Sequence, residues 1–427
     1  MSRSSRAAGS AGYFRRATLE ALTLLLVVTG WGAFGGSQAR AQDPGVTDTT
    51  LRVGGVMPLE GDTSGLGQGM KAGIEAALKG QSVKGHRIEF IAVNDFYNPD
   101  VTVKATQELI QQGVFAMLGN VGTPTAQAAL PILAEHHIPA VGFFTGASLL
   151  RPGKGDILNY RASYIQEIAQ VIEAALAGGI KPNEICAFVQ NDAYGMAGIE
   201  GIKAALAKQP GANATLEKLD RIMALQDGDP ARNDSGPVGV YPRTTLTARS
   251  GYNSLKNWEK SSNTPCRLVV TVGTYKGVGN LIAYARSKGE HWMFSTVSFT
   301  GADSLKTELT EQGVADRVIM TQVAPALNSS LPIVQDARRA LGEQLGYVSL
   351  EGYIVGRMFL EILRRIDGPL TQENFLKAAR GQTFDLGGLK IDFSNDNQGS
   401  DLVVLTYLQK GNYDVIIPDE LKKLFKQ

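Results

Sequence analysis

Beyond position 41 this sequence has no apolar run long enough to cross a bilayer, so a membrane-embedded body is not expected. It also lacks a basic block. Its 42 Lys and Arg against 41 Asp and Glu leave a formal net charge of +1, which argues against nucleic acid as a partner. Histidine is scarce: His86, His136, His137 and His291 show no ligand spacing, so no metal site is expected. The adjacent pair His136-His137 sits at a helix end, where a role against the helix dipole is the expectation. Only two cysteines occur, Cys186 and Cys266, each ahead of an apolar strand-like run. If those strands are neighbours in a parallel sheet, the thiols share one edge and can bond after export; two separate buried thiols is the other reading. No Gly-x-Ser-x-Gly elbow, Gly-Lys-Ser/Thr loop or clean dinucleotide fingerprint is present. No catalytic residue and no cofactor are therefore expected, and a hydrolase or dehydrogenase is the weakest reading.

What is present begins with a targeting segment over residues 1–41. Arg3, Arg6, Arg15 and Arg16 precede the apolar Ala21–Val28, and Ala39-Arg40-Ala41 fits a small-x-small cleavage site. Cleavage would leave Gln42 first and an exported, periplasmic chain. Arg15-Arg16 loosely resembles a twin-arginine signal, against which Glu20 stands. The remaining length suits two or three domains, and 49 glycines suit many tight strand-to-helix turns.

The most informative stretch is Ala116–Ser148. A short apolar strand ends at Gly119. Gly122-Thr123-Pro124-Thr125 follows, with Thr123 expected to cap a helix from about Thr125 to His136, bent at Pro131. Ile138–Phe144 reads as the next strand and Thr145–Ser148 as its polar end. In a parallel sheet both turns lie at the carboxyl ends of strands, where open α/β sheets bind ligands, and a helix N-terminus there favours an anion.

Around this stretch the pattern is strand, polar turn, helix. Leu51–Met57, Arg87–Val93, Phe115–Leu118 and Ile138–Phe144 are strands of one parallel sheet. Tyr160–Ser163 reads as a crossing segment, after which the pattern restarts with Glu184–Gln190, Cys266–Gly273 and Trp292–Phe294. Ala214–Leu219 reads as a weak strand, and Asp220–Ser262 as a long surface loop giving way to a helix near Tyr252–Lys260. Val318–Val323 is a second crossing strand. Helices at Asp336–Leu345, Leu350–Arg365 and Gln372–Ala379 and strands at Leu386–Phe393, Leu402–Leu408 and Tyr413–Ile417 finish the chain. Two α/β units in series place a ligand in the cleft between them.

In order and spacing, the runs VGGVMPLEG, ND…NP, GNVGTPT, IPAVGFFTGAS, NYRAS, NDAYG, GTYKGVG and SLEGYIVGRMFLEIL resemble the leucine/isoleucine/valine-binding family of type I periplasmic binding proteins. The resemblance covers essentially the whole mature chain. It implies an α/β fold of two Rossmann-like lobes with parallel central sheets, joined by three crossing segments. Lobe 1 maps to 50–160 plus 325–386 and lobe 2 to 161–324 plus 387–427. It implies a solute-binding protein that delivers an amino acid or related small acid to the membrane permease of an ABC importer, as a monomer or weak dimer; a ligand sensor of the same fold is the alternative.

The resemblance also implies site residues. Thr123 stands where the family takes the ligand carboxylate on a serine, and Gly146, Ala147 and Ser148 form the following turn. Tyr194 is the tyrosine closing from lobe 2. Thr274, with Tyr275 beside it, holds a second aromatic position, and Leu66 and Phe299 line the cleft. Val297 stands where the family's acidic partner for the ligand ammonium falls. An ammonium buried without an anion costs several kcal/mol. An α-amino acid would then need Asp192 or Glu60, whereas a deaminated or aromatic acid suits Val297 and Phe299 better.

Overall fold

Strands apolar on both faces form the centre of each of two sheets, as buried parallel sheets require. The computed structural model describes residues 43–426, Lys154 excepted; the expected signal segment lies outside the described residues. The first sheet contains β1 (Thr50–Met57), β2 (Ser82–Val83), β3 (His86–Asn94), β4 (Met117–Leu118), β5 (Ala140–Val141) and β6 (Ile157–Leu158) in the order β2-β3-β1-β4-β5-β6. All its pairings are parallel except that of β2 with β3.

The second sheet holds β7 (Ile185–Gln190), β8 (Val238–Tyr241), β9 (Leu268–Val272), β10 (Met293–Thr296) and β11 (Val318–Gln322). A hairpin of β12 (Thr383–Asp385) and β13 (Lys390–Asp392) stands apart. β14 (Val404–Gln409) and β15 (Asn412–Val415) return to the second sheet as antiparallel strands, giving the order β15-β14-β11-β10-β9-β7-β8. This is the expected α/β fold of two lobes with parallel central sheets.

Helix Ser64–Leu78 packs against helix Tyr347–Arg364 at backbone distance. A Cβ on Gly73 would lie 2.1 Å from the Ser349 carbonyl oxygen, and one on Gly352 would lie 2.5 Å from that of Met70. The glycines let the two helices approach and seat the helix that carries Leu66. Helix Tyr164–Ala177 begins on a capping box in which Ser163 accepts from the Gln166 amide and the Gln166 side chain accepts from the Ser163 amide. That cap stops the first passage between the sheets just after Arg161. The passage is held to the second one by the Tyr160 hydroxyl, which donates to the Val323 carbonyl at 2.8 Å. It is held to the third by backbone bonds between Asn159 and both Asn397 and Gly399.

Several local expectations change. Thr123 does not cap: Gly122, at φ +109°, is the cap, and Thr123 is the first residue of helix Thr123–Glu135, in which Pro131 lies. The strand expected to reach Phe144 is continuous only over Ala140–Val141, because Gly142 turns the chain at φ +65°; Phe144 pairs again as an isolated parallel bridge to Val121. The weak strand expected at 214–219 belongs to helix Asn213–Ala224, which buries Thr215, Leu219 and Ile222 at helical spacing. The loop expected from residue 220 begins inside helix Asn213–Ala224 and carries edge strand β8, while the helix expected near 252–260 is present as Arg249–Ser262. The strand expected over 386–393 folds into the β12–β13 hairpin, since Gly387 and Gly388 both take positive φ. The expected change of lobe at 386/387 falls at this hairpin's tip, and the chain re-enters the second sheet at β14. A C-terminal helix, Pro418–Leu424, was not foreseen.

Among the described residues no helix is long and apolar enough to cross a membrane. Cys186 and Cys266 are joined in a disulfide, with Cα atoms 5.6 Å apart, beside the paired strands β7 and β9.

Candidate functional site

The carboxyl ends of β1, β4 and β5 in the first sheet and of β7, β9 and β10 in the second open into turns that meet each other. On the first side, Gly122 is held to glycine by its φ and by space: a Cβ would lie 2.5 Å from the Tyr97 ring. It delivers Thr123 fully buried at a helix N-terminus, where first-turn amides lack intrahelical acceptors. The Thr123 hydroxyl bonds the Thr145 hydroxyl at 2.6 Å, and Thr145 bonds the Tyr164 hydroxyl at 3.2 Å. The Ala147 amide also donates to Thr145, at 3.4 Å. Burial pushes the Tyr164 phenol up to about 12, so it stays a neutral donor at ordinary pH. Three hydroxyls in a row at a helix N-terminus can hold a carboxylate.

On the second side, Asp192 caps helix Ala193–Leu206 by accepting from the Tyr194 amide at 3.0 Å. The buried Tyr194 ring stands 4.7 Å from Phe299, edge-on, and 5.5 Å from Tyr164. Phe299 lies in the turn after β10 and also reaches Phe144 at 5.2 Å and Tyr97 at 6.1 Å. Aromatic rings from both sheets thus form one band.

Thr274 caps nothing with its side chain; its amide donates to the Tyr241 hydroxyl at 3.0 Å. The Tyr275 hydroxyl crosses to the first side and accepts from the Gly65 amide at 3.5 Å. Beside it Leu66 is buried against Gly301, where a Cβ would lie 2.6 Å from the leucine. Lys276 pairs with Asp62 across the same gap at 2.7 Å.

The structure therefore brings Thr123, Ala147, Tyr194 and Phe299 around one band, and Leu66 and Tyr275 to its rim. Gly146 abuts Tyr164, whose amide donates to its carbonyl at 2.8 Å. Ser148 starts a one-turn 3-10 helix and is half-buried; Thr145 supplies the hydroxyl in its place. Val297 is buried and brings no charge. Of the two acids considered in its stead, Glu60 is exposed. Asp192 already receives the Gln190 amide at 2.8 Å and stands 3.5 Å from the Arg243 guanidinium. Burial nonetheless raises its pKa to about 6.

Residues the sequence reading did not single out complete the site: Tyr97, Phe144, Thr145, Arg161, Tyr164, Gln190, Tyr241 and Arg243. Arg161 is fully buried at the back, its guanidinium 4.6 Å from the Phe144 ring centre and 3.2 Å from a Glu351 oxygen, and it bonds the Ser298 hydroxyl. Glu167 accepts from the Ser298 amide at 2.8 Å, from its hydroxyl at 3.0 Å and from Thr321 at 2.5 Å. Burial opposes the Arg161 charge, and Glu351 and Glu167 outweigh it, so its pKa rises. Thr145 lay inside the quoted turn, and Tyr97 between the ND and NP pairs; Arg243 left no signal.

Two lobes of parallel α/β sheet facing each other at their strand ends, with a row of hydroxyls and a band of aromatic rings where they meet, define a class of two-lobed solute-binding proteins. A family model described as periplasmic binding protein matches residues 50–219. A crystal structure of a possible leucine/isoleucine/valine-binding protein from Rhodopirellula baltica SH 1 is 34% identical, covering 87% of this chain and 98% of that one, with a TM-score of 0.76. The chain belongs to the leucine/isoleucine/valine-binding family of periplasmic binding proteins. Two more distant structures share the fold. One is a branched-chain amino acid ABC transporter protein from Thermus thermophilus with bound valine (17% identity, 87% and 96% covered, TM-score 0.67). The other is a solute-binding protein of an ABC transporter from R. palustris in complex with 4-hydroxybenzoate (18% identity, 86% and 95% covered, TM-score 0.64). No curated protein matches the chain.

Proposed function

We propose that this protein is an exported, periplasmic solute-binding component of an ABC importer that captures a small carboxylate between its lobes without transforming it. The observation that carries this reading is the hydroxyl row Thr123–Thr145–Tyr164 at a helix N-terminus, facing Tyr194 and Phe299 from the other sheet. Lobe 1 takes the carboxylate on Thr123, Thr145 and helix amides, and the Tyr164 hydroxyl reaches the same row from the start of lobe 2. Lobe 2 then closes with Tyr194, Phe299 and Tyr275, the passages near residues 160, 324 and 393–403 absorb the rotation, and the closed form docks on the permease.

A carboxylate without an amine fits better than an α-amino acid. Val297 supplies no anion, Glu60 is exposed, and Asp192 is engaged by Gln190, the Tyr194 amide and Arg243. An ammonium here would lose its water without gaining a free counter-ion.

A thermal-shift screen of the purified protein tests this, with amino acids beside their deaminated and aromatic counterparts. A ligand that binds only the native state raises the melting temperature with concentration. The expected result is a shift with amine-free carboxylates that Thr123→Ala and Tyr194→Ala abolish. A shift with α-amino acids alone would place the ligand class elsewhere, and silence across both sets would remove the carboxylate reading.

A further inference from the structure

The segment 220–262 has no part in the hydroxyl row, yet it sends two side chains to the cleft. Edge strand β8 pairs in parallel with β7, register Tyr241 opposite Gln190, so its carboxyl end opens on the same side as the other cleft turns. Tyr241 and, after Pro242, Arg243 emerge there. The Tyr241 hydroxyl accepts from the Thr274 amide at 3.0 Å and lies 3.5 Å from the Gln190 side-chain oxygen, to which it donates. The Gln190 side-chain amide donates to the Tyr97 hydroxyl at 3.2 Å and to Asp192 at 2.8 Å. Arg243 donates to the Tyr97 carbonyl at 2.5 Å, and its guanidinium lies 6.0 Å from the Tyr97 ring centre.

Tyr97 links this cluster to the hydroxyl row. Its ring lies on Gly122, the residue before Thr123, and its hydroxyl reaches Gln190. Tyr97 and Gln190 are fully buried. The Tyr97 hydroxyl accepts from Gln190, which leaves its own proton to donate. Burial holds that phenol neutral, well above its ordinary pKa. The aromatic band therefore has a polar end beyond it, distinct from the hydroxyl row.

We propose that Tyr97, Gln190 and Arg243 form a selective end of the cleft that takes a neutral hydrogen-bonding group on the ligand's tail, a hydroxyl or carbonyl, and rejects an ammonium. This rests on the carboxylate reading above. The charges decide it. Two carboxylates lie at this end and both are engaged: Asp95 accepts from the Tyr97 amide at 2.9 Å and the Thr102 hydroxyl at 2.8 Å, and Asp192 has Arg243 within 3.5 Å and two amide donors, so an incoming cation would compete with a guanidinium and lie beside it. A hydroxyl can accept from the Tyr97 phenol or from Arg243 without disturbing that pairing. Because every polar side chain of the cluster already has a partner within it, a ligand lacking the tail group leaves only the Tyr97 proton unused, and the preference is about tenfold rather than the far larger factors of a dedicated polar pocket.

The test is calorimetric titration of the purified protein with two matched series and leucine. One series is phenylacetate, 4-hydroxyphenylacetate and 4-(aminomethyl)phenylacetate; the other is hexanoate, 6-hydroxyhexanoate and 6-aminohexanoate. In whichever series fits the cleft, the hydroxyl member is expected to bind about tenfold tighter than the unsubstituted acid, and the ammonium member weakest. Tyr97→Phe and Gln190→Leu are expected to bring the hydroxyl-to-unsubstituted ratio of Kd values within threefold, whatever they do to both affinities together. An ammonium member binding as tightly as its hydroxyl partner would overturn the proposal. So would a ratio unchanged in both variants, or binding of leucine alone, which would leave the carboxylate row standing. Failure of every carboxylate would remove the underlying reading, and this inference with it.

Discussion

Two arginine–carboxylate pairs flank the cleft and have opposite surroundings. At the back, Arg161 is fully buried between Glu351 and Glu167, beneath Phe144. At the outer end, Arg243 is 29% exposed beside Asp192. The inner guanidinium leaves Nε and Nη1 without a hydrogen-bond acceptor, and the facing Glu351 oxygen without a donor. A pair so incompletely bonded repays its desolvation poorly, yet losing one partner would leave bare charge in the interior. The inner pair is thus a structural commitment at the passage between sheets, and the outer pair an adjustable contact with solvent and ligand.

Removing the inner cation is the largest expected break in this comparison. Arg161→Met keeps the volume and strands Glu167 and Glu351. It is expected to cost about 3–5 kcal/mol at neutral pH, measured as a shift in the urea midpoint. The loss should shrink in acid, where the stranded carboxylates take up protons.

The next effect is the pH dependence of the unaltered protein. Burial raises Glu351 to about 7 and Asp192 and Asp95 to about 6, against ordinary values of 4.5 and 3.8. The folded state therefore holds protons that the unfolded state releases. The stability they supply is complete below the ordinary values and is lost as pH rises through the folded ones. Unfolding free energy is expected to be about 5 kcal/mol larger at pH 5 than at pH 7.5 from these groups. A higher urea midpoint at pH 7.5 than at pH 5 would contradict this assignment.

Glu351→Gln sharpens the contrast. It removes a carboxylate whose folded pKa already lies near neutrality and leaves Glu167 beside the guanidinium, so it is expected to cost less stability at pH 7.5 than Arg161→Met does. It should also remove roughly half of the pH effect, which denaturation at the two pH values would show.

The legibility of these features differed for physical reasons. Gly122-Thr123-Pro124 and Asn191–Gly195 announced themselves because a turn chemistry and a helix start are local. Cys186 and Cys266 were placed by strands that could be read as neighbours, although the sequence left the bond open. Which hydroxyl of Thr145–Ser148 faces Thr123 is not encoded by the turn's composition, and it is Thr145 that bonds it. Tyr97 escaped because it sits at φ +59° in a turn, where a tyrosine gives no sign of facing a second sheet. Arg243 escaped because β8 is only four residues long, between Pro- and Gly-rich stretches, and its meaning comes from pairing with β7. Arg161 lay inside the quoted crossing run, but its ion partners are contributed from far along the chain.

The smallest expected effect is at the outer pair. Arg243→Gln removes a guanidinium that is partly in water and screened by salt, so its loss is expected to lower stability by less than about 1 kcal/mol. The Asp192 carboxyl should respond more than the fold does. Arg243 is one of the groups holding its pKa down against burial, so without the cation that pKa rises above about 6. The variant's stability should then fall with rising pH over a window displaced toward neutrality, while its midpoint at pH 5 matches the unaltered protein. A loss as large as that of Arg161→Met would mean that the outer pair also holds the two sheets together, and the division between a fixed back and an adjustable mouth would no longer stand.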